Sequence, residues 1–123
     1  MKKLLAIVVL GLMWFNTVLA LPKCVGEDTS KWTMCEGTKT KDDLWTYTGE
    51  WKDGVKHGQG FMKWKNGTSY IGEWKNDDPN GYGTLIYPDK QKYVGEVKKG
   101  LPHGQGSLTF EKVGQWKDGN FIK

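Results

Sequence analysis

The sequence predicts an all-β protein: one elongated, twisted antiparallel sheet of consecutive hairpins, about seven or eight strands with no second layer. Three observations predict it. Residues recur with a period of 23, side chains alternate with a period of two inside each unit, and turn dipeptides separate the alternating runs. With 123 residues the chain is long enough for one domain.

Residues 1–20 read as a signal peptide. Lys2 and Lys3 form a charged start, Leu4 to Phe15 an apolar stretch, and Val18-Leu19-Ala20 a small-residue cleavage site. The apolar run is short for a membrane span, and Leu21-Pro22 follows at once. The alternative is an uncleaved anchor. The expected location is therefore periplasmic or extracellular, after cleavage near Ala20. Lys23 before Cys24, where lipid attachment requires a small residue, argues against a lipoprotein.

Residues 21–46 read as an N-terminal cap that holds a degenerate half-repeat and covers the first open strand edge. Cys24 and Cys35 both follow the cleavage site, and an even count in an exported chain implies a disulfide staple. Two free thiols, or half of a metal site, are the other readings. A specific binding arm is the alternative to the cap.

Residues 47–123 form the repeat sheet, as units 47–69, 70–92, 93–112 and a truncated 113–123. Tyr47, Tyr70 and Tyr93 make one column; Gly49, Gly72 and Gly95 a second; Trp51, Trp74 and Val97 a third. Further along, Gly58, Gly81 and Gly104 align, as do Gly60, Gly83 and Gly106. One period earlier, Gly37 falls in the column of Gly60 and Cys35 in that of Gly58. Gly114, Trp116 and Gly119 continue the columns if four residues are deleted after Phe110. Atypical end units are expected, because they face solvent on one side.

The run Tyr47-Thr48-Gly49-Glu50-Trp51-Lys52-Asp53-Gly54 and the later His57-Gly58-Gln59-Gly60 closely resemble the MORN repeat. So do Tyr70-Ile71-Gly72-Glu73-Trp74 and His103-Gly104-Gln105-Gly106. The resemblance covers about residues 36–119 and implies hairpins in one long sheet, used for protein or membrane contacts. Val97 departs from the expected aromatic, Asn80 from the histidine and Asp77 from the turn glycine.

Alternation assigns Tyr47, Gly49 and Trp51 to one face and Thr48, Glu50 and Lys52 to the other. The following strand continues this with Gly58, Gly60, Met62 and Trp64 on the first face. Pairing Trp51 with Gly58, Gly49 with Gly60 and Tyr47 with Met62 brings the aromatic positions together. Asp53-Gly54 is a turn signal. At Asn66-Gly67 a two-residue turn would flip the next strand, so a loop of three or five residues with a bulge is predicted. Glycine within a strand leaves room for a neighbouring ring to lie across bare backbone. The aromatic face also takes Leu85, Tyr87, Leu108 and Phe110, and a single sheet is expected to bury little of it fully.

The residues exclude much chemistry. Arginine is absent, and the mature chain has sixteen lysines against 14 acids, a charge near +2. Nucleic acid is not an expected partner. His57 and His103 lie two periods apart, roughly 19 Å at four strands of spacing, too far to share one metal. Glu50, Glu73 and Glu96 form a carboxylate column about 10 Å apart, on a solvated face beside lysines. No nucleophile–base pair or phosphate loop accompanies them, so neither catalysis nor a cofactor is expected.

Three contact readings remain. Ile71, Tyr82, Ile86 and Val94 interrupt the polar face with apolar side chains, either as an association patch or as ordinary strand composition. With the aromatic face, they suit a protein scaffold. Lys52, Lys75, Lys98 and Lys117 form a column that could approach anionic lipid, though the glutamates between them oppose it. The Trp and Tyr rings could also act as stacking platforms for a glycan.

Overall fold

The computed structural model describes residues 20–110, 115–118 and 120–121. The expected signal peptide, apart from Ala20, therefore lies outside the described residues, as do Gly114 and Gly119. A 3-10 turn at Thr29–Lys31 precedes seven strands: β1 (Cys35–Lys41), β2 (Trp45–Lys52), β3 (Val55–Trp64), β4 (Ser69–Lys75), β5 (Asp78–Ile86), β6 (Gln91–Lys98) and β7 (Leu101–Phe110). They form one antiparallel sheet in sequence order. Among the described residues, short strands β8 (Trp116–Lys117) and β9 (Asn120–Phe121) pair with each other alone. The all-β class, the single open sheet and the Cys24–Cys35 disulfide agree with expectation.

Each unit closes its hairpin with a two-residue turn whose central residues both have positive φ. These are Asp53-Gly54, Asn76-Asp77 and Lys99-Gly100. That geometry matches strand twist and normally wants glycine at the second position. Asp77 holds it without glycine because its carboxylate accepts bonds from the Lys56 amide at 2.8 Å and the Lys56 ammonium at 3.2 Å. The backbone N–H at this second position also clasps the preceding unit. Gly54 donates to the Trp32 carbonyl, Asp77 to Lys56 and Gly100 to Pro79, at 2.8, 3.0 and 3.1 Å.

Between units the connection has three residues. Trp64 and Thr68 pair across Lys65, Asn66 and Gly67, with Gly67 at φ 93°. Tyr87 and Gln91 likewise pair across Pro88, Asp89 and Lys90. The odd loop length keeps the aromatic positions on one face, as parity demands.

One expected pairing fails. Gly49 faces Gly60 and Tyr47 faces Met62, but Trp51 faces Lys56, and Gly58 pairs with Trp74 of the next unit. Residues 57–59 occupy a bulge opposite Glu50, and the shift recurs between Gly72 and Trp74 and between Gly95 and Val97. Two extra residues leave the alternation of faces intact.

The core is also drier than expected. Tyr47 and Tyr70 are fully buried, and Trp51, Met62, Trp74, Leu85 and Val97 nearly so. Each tyrosine lies flat across a glycine of the next strand: a Cβ on Gly83 would sit 2.5 Å from the Tyr70 ring. The tryptophan of the following unit then closes over that ring. Tyr47 and Trp74 meet edge to face at 5.0 Å, and the Trp74 indole N–H donates to the Gly60 carbonyl at 3.2 Å. Phe110 and Leu108 depart from their place in the aromatic core, at 68% and 50% exposure. Among the described residues nothing pairs with the outer edge of β7, so no later tryptophan covers them.

Candidate interaction surfaces

The carboxylate column has a structural task. Glu50, Glu73 and Glu96 each accept a bond from a bulge amide on the next strand, those of Gln59, Tyr82 and Gln105. The column lies on the outer face, as expected, with Glu73 and Glu96 exposed and Glu50 half-buried. The bulge brings backbone N–H groups to it, and charge-assisted bonds hold the carboxylates there. The matching tyrosine anchors the same residue from the other face. Tyr47, Tyr70 and Tyr93 donate to the Glu50, Glu73 and Glu96 carbonyls at 2.8, 2.9 and 2.6 Å. Burial, reinforced by Glu73, pushes the Tyr70 phenol up to about 12. Burial raises Tyr47 as well, so both stay neutral donors at physiological pH.

Lys52, Lys75 and Lys98 end strands β2, β4 and β6 on that same outer face and are exposed. Lys75 stands opposite Asp78, and the glutamate column runs alongside. Lys117 lies in β8, outside the seven-stranded sheet. Among the described residues no group of three or more His, Cys, Asp or Glu side chains could hold a metal.

Two surfaces stand out. The first is apolar and lies on the outer face. Phe61 pairs with Ile71, Ile71 with Thr84, and Thr84 with Val94, so these four form one row across β3 to β6. Tyr82 and Ile86 flank Thr84 along β5, two residues to either side on the same face. Ile71 is 56% exposed, Tyr82 61% and Ile86 36%. Phe61 belongs to this patch and is absent from the expected set. Its alternation with Gln59 and Lys63 on the outer face could have revealed it. The end of the N-terminal segment borders the row, where Ala20 and Leu21 share a hollow with Phe61 and Ile71.

The second surface is a groove of about 480 Å³ on the aromatic face. Trp45 and Trp64 pair across β2 and β3 and are half-buried there, as is Tyr87 beyond the end of β5. The groove is also lined by Asn66, Asp78 and Lys99. The Lys56 ammonium fills the floor, 4.9 Å from the Trp45 ring centre and within 6 Å of Tyr47 and Trp74. Lys56 reaches this site because the bulge turns it inward opposite Trp51, a shift that alternation alone cannot reveal.

The MORN repeat model matches residues 47–69, 70–92 and 93–112, three successive units of the repeat. No curated protein matches the chain.

Proposed function

The chain belongs to the MORN-repeat family, whose repeats are interaction modules for proteins or membranes, and we propose from this that it is an exported, non-catalytic scaffold for a protein partner. The observation that carries this reading is the row Phe61, Ile71 and Val94 with Tyr82 and Ile86 beside it. Phe61, Ile71, Tyr82 and Ile86 there face solvent, with Val94 half-buried beside them, at the centre of an otherwise polar surface. Patches of this kind on a folded domain mark association surfaces, because burying them against a partner removes apolar area from water. Each side chain points away from the aromatic core, so the fold itself does not require them.

The lysine column supports membrane binding less well. Its charges stand beside the bulge carboxylates, which reduces the attraction to anionic headgroups.

The test uses Ile71→Lys together with Ile86→Lys. We predict that this variant keeps the wild-type melting temperature but loses capture of envelope proteins by the immobilised mature chain, assessed by pull-down and size-exclusion chromatography. Retained capture would sink the outer-row assignment. Binding to anionic vesicles that falls steeply with salt would favour the lysines instead.

A further inference from the structure

We propose that the aromatic face carries an extended binding site for an uncharged β-linked glycan, with Trp45, Trp64 and Tyr87 as stacking platforms. The site lies on the face opposite the proposed protein surface, so the two readings stand separately. Trp64 and Tyr87 occupy the same column of successive units, two strands apart, which places them roughly 10 Å from each other. That spacing is close to the length of two sugar rings in a β-1,4-linked chain. A second hollow, of about 610 Å³, shares Tyr87 and runs on to Pro102 and Leu108. The two hollows therefore make a track along the sheet instead of a single pocket.

The chemistry of the track narrows the ligand. Its first hollow carries two lysines, Lys56 and Lys99, against two aspartates, Asp77 and Asp78, and so has no net charge. A polyanion or polycation gains little there, and the second hollow adds only the charge of Asp89, which disfavours a polyanion further. The box formed by Trp45, Tyr47 and Trp74 already holds the Lys56 ammonium, paired with Asp77 at 3.2 Å. A ligand cation is thereby excluded from it. A hexopyranose in a β-linked chain presents C–H bonds on its flat faces and hydroxyls around its rim. The faces suit half-buried rings; the rim suits Asn66, which both donates and accepts, and the aspartates, which only accept. A proline-rich peptide would also lie on such rings, but proline has no N–H to give those carboxylates.

Titration of the folded mature chain with cellohexaose and chitohexaose, followed by tryptophan fluorescence and calorimetry, tests the proposal. At least one hexamer should saturate the signal, while maltohexaose, with α-linkages, should not. Trp64→Leu keeps an apolar side chain and removes the platform, and it should weaken binding by about tenfold or more. Tyr87→Ala, more peripheral, should weaken it too, with near-ultraviolet circular dichroism confirming that each variant is folded. Silence with both β-linked hexamers overturns the proposal. So does unchanged affinity in both folded variants, or a response to a polyproline peptide in place of the sugars.

Discussion

The glycine columns illustrate how single residues set the core of a one-layer sheet. At Gly83 an added Cβ would meet the Tyr70 ring at 2.5 Å and its hydroxyl at the same distance. The ring has nowhere to go, because it is fully buried and its hydroxyl is bonded to the Glu73 carbonyl. We predict that Gly83→Val destabilises the protein by about 3 kcal/mol through overpacking, read as a lower urea midpoint. Loss of less than about 1 kcal/mol would mean that the ring packs elsewhere in solution. Glycine normally weakens a strand, so its recurrence here makes sense only beside a column of rings one strand away. Both columns are visible in the sequence, and their contact follows once the 23-residue period is recognised.

Hairpin-scale features divide into those that parity exposes and those it hides. The bulge at 57–59 is held by Glu50, and its counterpart at 80–82 by Glu73. We predict that Glu73→Ala costs about 1–2 kcal/mol, the loss of an acceptor for a strand amide, and that Glu73→Gln recovers part of it. Equal midpoints for Glu73→Ala and wild type would remove the bulge-capping role. The loop at Lys65–Gly67 was legible because an even loop would have thrown Tyr70 to the wrong face. The bulge was not legible, because two inserted residues restore the alternation that was the only available guide. From that one shift follow the misplaced pairing of Trp51 opposite Gly58 and the unforeseen amide bonds of the glutamate column. The groove was half-legible. Its rings stood in the alternating pattern, but the inward turn of Lys56 depends on the bulge, and the balance of charge depends on Lys56.

Across the whole molecule the two ends of the sheet differ. At the start, the cap reproduces a repeat by other means. Cys24 stands one period before Tyr47, and at Gly37 an added Cβ would meet Trp32 at 2.7 Å and Cys24 at 3.0 Å. Disulfide and indole thus cover Gly37 as Tyr47 covers Gly60. Trp32 then meets Trp51 edge to face at 5.1 Å and starts the chain of rings that runs through Tyr47 and Trp74 to Tyr70. At the other end Val97 supplies no indole, and β7 is exposed along its whole length. In a stack of units that touch only their neighbours, loss of the cap should be felt locally. The disulfide closes a loop with ten residues between its cysteines, worth about 2–3 kcal/mol. We therefore predict that Cys24→Ser with Cys35→Ser lowers stability by about that amount and speeds amide exchange mainly in β1 and β2. Exchange in β5, two hairpins away, should change far less. Uniform acceleration across all seven strands would instead mean that the sheet opens as one unit, with the cap securing every hairpin at once.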